Sequence, residues 1–207
     1  MQHARRPLGR PRKTQDRIST KDTIVKLATR MFLDKGYPSV SMDDVAQTCN
    51  VTKATVYYYY KTKADLFTDA MVQLMNRIQK RMADTLSTDK SLKTQLFEIA
   101  KAHLQATVDI NIHSFMKEAK TAVSHEHLQL MEEAENQLYD TLEHAIKEAM
   151  ERGEIPQKNP RLIALMFVSM LTVGQHMDRA YRNTFTSLDD LITQMVNIYW
   201  NGLANDD

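Results

Sequence analysis

The sequence has little cysteine, glycine and proline, and each shortage excludes a class of protein. Its single cysteine, Cys49, cannot form a disulfide within the chain, and the N-terminus lacks the apolar segment of a secretory signal. A reducing cytoplasm is therefore the predicted compartment. With only 5 Gly and 5 Pro among 207 residues, 43% of which are hydrophobic, the composition favours a helix-rich globular protein over a β-sandwich or a low-complexity chain.

Long apolar runs are also missing from the sequence. The longest, residues 162–173, is interrupted by Ser169 and Thr172. It is also shorter than the roughly 18 residues that a membrane-spanning helix needs. We therefore expect no membrane segment and interpret this run as a buried helix.

The sequence carries no signature of catalysis or of metal binding. Neither G-x-S-x-G nor a P-loop occurs in it. His125 and His127 are two positions apart, so on a helix they would point to different faces rather than bind one metal ion. No enzyme activity, no metal site and no cofactor is predicted.

The charges are distributed unevenly along the chain. The formal net charge is only +1, but residues 1–63 hold 13 Lys/Arg against 5 Asp/Glu, whereas residues 64–207 hold 14 against 21. A basic segment concentrated at one end is typical of a protein that binds a polyanion. The acidic remainder argues against a protein whose whole surface binds membranes.

The most basic stretch is "RRPLGRPRK", residues 5–13. Its two prolines and its glycine disfavour a helix, so residues 1–18 are predicted to form a flexible basic arm. Arg10 and Arg12 could lie in a narrow, A·T-rich minor groove of DNA. A solvated tail that adds only non-specific attraction is the alternative, and both interpretations stay open.

Residues 19–60 carry the signals of three short helices. The first is predicted to begin near Ser19, which suits an N-cap, and to end at Gly36. A second should follow Ser41. Asn50 is one of the few residue types that accept a positive φ, so it can turn the chain, and Thr52 can cap a third helix. Two short helices joined by such a turn form a helix-turn-helix.

Four consecutive tyrosines, residues 57–60, end this third helix. Helical geometry turns by about 100° per residue. If Val56 faces the core, Tyr59 and Tyr60 are directed toward packing, whereas Tyr57 and Tyr58 are directed outward. A buried Tyr60 would then need a hydrogen-bond partner for its hydroxyl.

The residues left on the outer face of the third helix suit a DNA major groove. Lys53 can donate to guanine O6 or N7, and Thr55 offers a hydroxyl and a methyl group for thymine. The flanking tyrosine hydroxyls can reach phosphates. Lys61 and Lys63 add positive charge beside the N-terminus of a fourth helix, which itself attracts phosphate.

The segment "MFLDKGYPSVSMDDVAQTCNVTKATVYYYYKTKADLF", at the heart of residues 20–67, resembles the DNA-binding domain of the TetR family of bacterial transcriptional regulators. The resemblance implies that Ser41 and Met42 open the helix that crosses the DNA backbone and that Lys63 contacts phosphate. It assigns to the recognition helix Thr52, Lys53, Ala54, Thr55 and Tyr57. The sequence departs from the family in two places, because Asn50 replaces a commoner glycine and Tyr60 a commoner phenylalanine.

From residue 63 onward helices dominate. They are predicted at residues 63–86, 90–112, 115–123, 126–152, 160–182 and 187–203. The predicted fold is therefore all-α. Residues 19–67 are expected to form an N-terminal three-helix helix-turn-helix DNA-binding domain, and residues 68–207 a C-terminal helical ligand-binding and dimerisation domain.

By the same resemblance, the C-terminal domain should enclose a cavity for a small-molecule effector. Ten of the 13 methionines lie in this domain, and flexible thioethers can line an adaptable apolar pocket, although they could equally be ordinary core residues. The candidate ligand-binding residues are His103, His113, Tyr139, Met170 and Gln175.

The last two predicted helices suit a dimer interface. The run at residues 162–173 is apolar nearly all round, so one side can meet the protein's own core and the other side a partner. Two such helices from each of two subunits would form a four-helix bundle. The candidate interface residues are Leu165, Met166, Ser169, Met170, Leu191, Met195 and Tyr199.

These features together predict a homodimeric, ligand-responsive DNA-binding regulator, most simply a repressor, that recognises a pseudo-palindromic double-stranded operator. The alternative is a dimeric DNA-binding factor without a small-molecule effector, either architectural or controlled by a protein partner. The two differ in whether a small molecule changes operator binding.

Overall fold

The computed structural model describes residues 19–107 and 122–204, apart from the side chains of Arg179 and Ala204. All regular secondary structure in these ranges is helical, which confirms the predicted all-α fold. The helices are α1 (Thr20–Lys35), α2 (Met42–Thr48), α3 (Lys53–Tyr59), α4 (Lys63–Leu86), α5 (Leu92–Thr107), α6 (His125–Glu151), α7 (Pro160–His176), α8 (Arg179–Arg182) and α9 (Leu188–Ala204).

One predicted helix is divided in the structure, and two others lie partly outside the described residues. The helix predicted at residues 160–182 is divided, because Met177 leaves the helical conformation and the Asp178 carboxylate accepts a hydrogen bond from the Tyr181 amide, which starts α8. Most of the helix predicted at residues 115–123, and the end of the one predicted at 90–112, lie outside the described residues.

The N-terminal helices begin where the sequence predicted, and α1 ends at the predicted Gly36. Ser19 and Ser41 each form a capping box with the aspartate three residues later, and Thr52 caps α3 by accepting a hydrogen bond from the Thr55 amide. Asn50 has a φ of 53°, as its role in the turn requires. The α2–turn–α3 unit is therefore a helix-turn-helix.

A first hydrophobic core unites α1, α2, α3 and the first half of α4. Its aromatic centre is Phe67, whose ring lies edge-on to Phe32 at 5.2 Å and to Tyr37 at 4.8 Å between centroids. Met131 of α6 also belongs to this core. The proposed division after residue 67 thus falls inside α4, and α6 connects the N-terminal helices with the rest of the chain.

A second core is formed by α5, α6, α7 and α9, together with the end of α4. Phe167, Ile146 and Leu96 are among its fully buried side chains. Helix α7 packs closely against its neighbours at Gly174, where an added Cβ would lie 2.9 Å from Met195 Cε and 3.0 Å from Leu104 Cδ2. Within residues 19–107 and 122–204, every helix is too short or too polar to cross a bilayer.

Candidate nucleic-acid interface

Helix α3 is held from one side and exposed on the other. Val56 is completely buried, and it anchors the helix against the first core. On the opposite side Tyr58 is 82% exposed and Tyr57 43% exposed. At the start of the helix, the Thr52 and Thr55 hydroxyls lie 2.8 Å apart, so both are fixed at the tip. A short polar and aromatic surface results.

For three of the four tyrosines the side chain is oriented as predicted, and for one it is not. Tyr57 and Tyr58 face outward and Tyr60 is buried, as expected. The prediction for Tyr59 is wrong, because its side chain is 37% exposed and lies edge-on to Tyr58 at 5.1 Å between centroids. The helix ends at Tyr59, and Tyr60 turns inward through an extended backbone (φ −135°, ψ 115°) rather than through helical phase.

The buried Tyr60 has the hydroxyl partner that its position requires. Its hydroxyl donates to Asp69 Oδ2 on α4, while the other carboxylate oxygen accepts from Gln73 Nε2 at 3.0 Å. Lys21 of α1 completes the network, with its Nζ 3.4 Å from Asp69 Oδ2 and 5.5 Å from the Tyr60 ring centroid. The end of α3 is thereby tied to both α1 and α4.

This network lowers the pKa of Asp69. Burial alone would raise the pKa, but the hydrogen bonds from Tyr60 and Gln73 and the charge of Lys21 outweigh it. Burial and the Asp69 carboxylate raise the pKa of Tyr60 far above its usual range, so the hydroxyl remains a donor. The arrangement therefore depends on an ionised Asp69.

Replacing Tyr60 with phenylalanine should destabilise the protein by about 1–2 kcal/mol, because the partly buried Asp69 carboxylate loses a charge-assisted hydrogen bond. Since the pKa of Asp69 is lower folded than unfolded, its contribution is present above about pH 4 and is lost as the pH falls through the folded value. Urea unfolding of the wild type and Tyr60→Phe at pH 7 and pH 3.5 measures both effects. Tyr59→Phe is the matched control, and an equal loss in the two variants would contradict the role of the network.

A groove separates the start of α2 from α3. It is lined by residues 38–41 before α2, by Met42 and Asp43 from α2, by Lys53 and Tyr57 from α3, and by Lys63 from α4. The side chains of Lys53 and Asp43 form an ion pair across it, at 2.8 Å between Nζ and Oδ1. Both side chains are more than half exposed, so they remain accessible to a ligand in the groove.

Lys63 is fixed more firmly than a free surface lysine. Its Nζ donates to the carbonyl oxygens of Tyr37 at 2.9 Å and Pro38 at 3.4 Å, and it lies 4.3 Å from the centroid of the Tyr37 ring. An ammonium group has three donors, so one can still reach a phosphate beside the groove. Lys63 thus joins the α1–α2 loop to the start of α4.

The structure places most of the predicted DNA-binding residues on one surface. They lie around α3 and the groove: Ser41, Thr52, Lys53, Ala54, Thr55, Tyr57, Tyr58, Lys61 and Lys63. Met42 opens α2, as predicted, and lines the groove, although its side chain is only 6% exposed and packs in the first core. Arg10 and Arg12 lie outside the described residues.

Two of the predicted ligand-binding residues are brought together. Burial lowers the pKa of His103 on α5, and a hydrogen bond with the Gln175 side chain on α7 acts in the opposite direction. The Gln175 amide nitrogen is buried without a hydrogen-bond partner. A polar pair, His103 on α5 and Gln175 on α7, thus lies between the two helices beside the apolar contact at Gly174.

The other ligand candidates have different surroundings. Tyr139 lies on α6 with its ring 5.1 Å from the guanidinium carbon of Arg161, at the contact with α7. Met170 is partly buried against the second core. His113 lies outside the described residues.

The predicted dimer residues fall into two groups. On α7, Leu165 is 41% and Met166 55% exposed, and Ser169 is exposed beside them. On α9 the assignment is corrected for Leu191 and Met195, which are 2% and 9% exposed and pack in the second core of their own chain.

Tyr199 of α9 likewise belongs largely to its own chain. Its hydroxyl donates to the Ile163 carbonyl at 2.9 Å, and its ring lies 5.6 Å from that of Phe167. The apolar side chain that α9 does expose is Ile198, at 76%. The apolar stripe on α9 therefore faces α5 and α7 rather than solvent.

Comparison with known proteins relates the chain to bacterial regulators. The family model described as "Bacterial regulatory proteins, tetR family" matches residues 24–70, which span α1 to the start of α4. The HTH-type transcriptional regulator YhgD of Bacillus subtilis is 26% identical over 157 residues, covering 74% of this chain and 81% of YhgD. IcaR of Staphylococcus epidermidis, a negative transcriptional regulator of the biofilm operon icaADBC, is 32% identical over 56 residues, 27% of this chain and 30% of IcaR.

The fold is also similar to that of a solved structure beyond the N-terminal helices. The crystal structure of the transcriptional regulator FadR from Bacillus subtilis in complex with stearoyl-CoA superposes with a TM-score of 0.68 at 19% identity, covering 86% of this chain and 96% of FadR. The helix-turn-helix and the helical remainder thus agree with one architecture. Residues 24–70 thus match the TetR family of bacterial regulatory proteins, and most of the chain is similar in sequence to YhgD and in fold to FadR.

Proposed function

We propose that the protein is a homodimeric DNA-binding repressor that places one α3 helix per subunit in successive major grooves of a pseudo-palindromic operator. The observation that carries this proposal is the exposed tip of α3, with Lys53, Tyr57 and Tyr58 on the surface while Val56 and Tyr60 hold the other side in the core. A rigid helix with a polar, basic tip suits readout of base edges.

The proposed DNA contacts are of two kinds, contacts to base edges and contacts to phosphates. Lys53 and Thr55 lie at the start of α3, where they would meet base edges. Ser41, Tyr57 and Lys63 line the adjacent groove and would contact phosphates, and exposed Lys61 would add a further one. Residues 1–18 remain a proposed basic arm, through which Arg10 and Arg12 would reach the minor groove.

Lys53→Ala and Lys63→Ala should therefore have different effects on operator binding. Loss of Lys53 should cost about 1–3 kcal/mol on the operator and relax base preference, because a base contact disappears. Loss of Lys63 should weaken binding to all DNA sequences alike, because a phosphate contact disappears. The slope of log affinity against log salt concentration should become shallower by about 1. Titrations of operator and unrelated duplexes at several salt concentrations separate the two. Equal loss of specificity in both variants would contradict the assignment.

The dimer is proposed to form through α7. Its outward face carries large apolar side chains at helical spacing, with Leu162 56%, Met166 55% and Val173 59% exposed. Contiguous apolar surface of this kind marks protein interfaces, and a two-fold axis would pair the stripe with its own copy. Ile198 on α9 would contribute at the edge.

A small-molecule effector is proposed to bind between α5 and α7. The His103–Gln175 pair supports this placement, because the unpartnered Gln175 amide offers a donor to a ligand. FadR, which shares the fold, binds stearoyl-CoA in its crystal structure, and IcaR is a negative regulator. Because α6 reaches the first core through Met131 and its His127 Nε2 lies 3.0 Å from Asp65 Oδ1 of α4, movement in the C-terminal helices can reach the DNA-binding helices.

The effector half of the proposal is tested with a compound library. A ligand that favours the non-binding state must raise the melting temperature and weaken operator binding together. Gln175→Ala should reduce both responses and leave operator affinity without ligand unchanged. If no compound in a broad library of apolar, aromatic and acyl compounds changes either quantity, the dimeric factor without an effector is the better description.

A further inference from the structure

The ion pair between Lys53 and Asp43 lies within the proposed DNA-binding surface. Lys53 Nζ is 2.8 Å from Asp43 Oδ1 and 2.9 Å from Oδ2, so both carboxylate oxygens contact the ammonium. The Tyr57 ring centroid, 5.8 Å from the same nitrogen, supports the lysine from the side. The pair is held at the mouth of the groove and is open to solvent.

A carboxylate at this position is unexpected on a surface that meets a polyanion. The neighbouring Asp44 has a structural reason to be acidic, because it forms the capping box of α2 with Ser41. Asp43 takes no part in that box, and its carboxylate accepts a hydrogen bond from Lys53. Its negative charge in the first turn favours the helix dipole, but the contact with Lys53 gives it a second role that the start of the helix does not explain.

The pair matches the major-groove edge of one G·C base pair. Guanine presents the acceptors O6 and N7, which an ammonium can bind, and cytosine presents the donor N4, which a carboxylate can accept from. O6 and N4 are themselves joined by a hydrogen bond of about 2.9 Å, the usual length for N–H···O. The 2.8 Å between Nζ and Oδ1 sets the protein's donor and acceptor at the same spacing.

We propose that Asp43 and Lys53 act as one unit that reads a single G·C pair in each half-site, with Lys53 on guanine and Asp43 on cytosine. The proposal rests on the proposed DNA-binding function and adds a specificity-determining residue to it. On an A·T or C·G pair in this orientation Asp43 faces an acceptor, thymine O4 or guanine O6, and a T·A pair lacks the N7 acceptor that guanine offers to Lys53. Asp43 therefore lowers affinity for non-operator DNA as well as selecting the correct pair.

The test is an operator selection from a randomised duplex pool, performed with the full-length wild type, Asp43→Ala and Lys53→Ala. The wild type should enrich a palindromic motif with one invariant G·C pair per half-site, and both variants should lose enrichment at that same pair. Changing this pair to A·T should weaken wild-type binding about tenfold but Asp43→Ala binding by less than about threefold. Affinity of Asp43→Ala for an unrelated duplex should rise.

Asp34→Ala is the matched control, because it removes the same charge from an exposed position on α1 that does not line the groove. It should leave the enriched motif unchanged, whereas a purely electrostatic effect would make it equal to Asp43→Ala. The inference is overturned if Asp43→Ala keeps full preference at every G·C pair, or if the two groove variants relax different pairs. A wild-type selection that enriches no motif would instead reject the proposed function itself.

Discussion

Replacement of Phe67 with alanine is expected to lower the free energy of unfolding by about 3–5 kcal/mol, because it removes the centre of the first core. Phe67 is completely buried, and it contacts Phe32 and Tyr37 edge-on, at 5.2 and 4.8 Å between ring centroids. Such aromatic pairs contribute beyond their buried area. The cavity would lie where α1, α4 and the loop before α2 meet, within the core on which α3 packs.

Urea unfolding followed by circular dichroism, at a fixed protomer concentration, measures this loss. Tyr58→Ala is the matched control, because Tyr58 is an aromatic residue of the same helix-turn-helix region that is 82% exposed. It should change stability by less than about 0.5 kcal/mol yet weaken operator binding. If Tyr58→Ala destabilised the protein as much as Phe67→Ala, the division between core and DNA-facing aromatics would be wrong.

Local signals made the N-terminal helices predictable. Capping by Ser19, Ser41 and Thr52 depends on groups three residues apart, and the positive φ of Asn50 depends on a single residue type. Signals that involve one residue, or residues three positions apart, can be recognised directly in the sequence. The all-α fold and the helix-turn-helix could therefore be predicted.

Helical phase alone was insufficient at the end of α3, and it gave no information on the start of α2. It placed Tyr59 in the core, but the helix ends at that residue and only Tyr60 turns inward. Met42 was assigned to DNA by resemblance, although its first-turn position on α2 directs it into the core. Where a helix ends determines which side chain is buried, and helix ends are the least predictable features of a sequence.

Contacts between distant residues were not predictable either. Lys53 pairs with a residue ten positions earlier, and Lys63 donates to a carbonyl 26 positions earlier. Periodicity describes faces within one helix and carries no information on such partners. For the same reason an apolar stripe on α9 could be recognised, but not whether it faces its own chain, as Leu191 and Met195 do, or a second subunit.

Met166→Glu should convert the proposed dimer into a monomer. Met166 is 55% exposed near the middle of the apolar stripe on α7, and two-fold symmetry would place two new carboxylates in one buried interface. An unpaired buried charge costs about 3–5 kcal/mol, which corresponds to more than about a hundredfold in the dissociation constant of the dimer. Operator affinity should fall in parallel, because a monomer presents only one recognition helix and loses the gain from binding two half-sites together.

Sedimentation velocity over a range of protein concentrations, combined with operator titration, measures both effects. Ile78→Glu is the matched control, because Ile78 is a 40% exposed apolar residue on α4 and not on α7. It should leave both the dimer and operator binding intact. A dimer that survives Met166→Glu, or one that Ile78→Glu disrupts equally, would move the interface away from α7. Loss of the dimer without loss of operator affinity would instead show that one α3 helix suffices for recognition, and the palindromic arrangement would no longer be required.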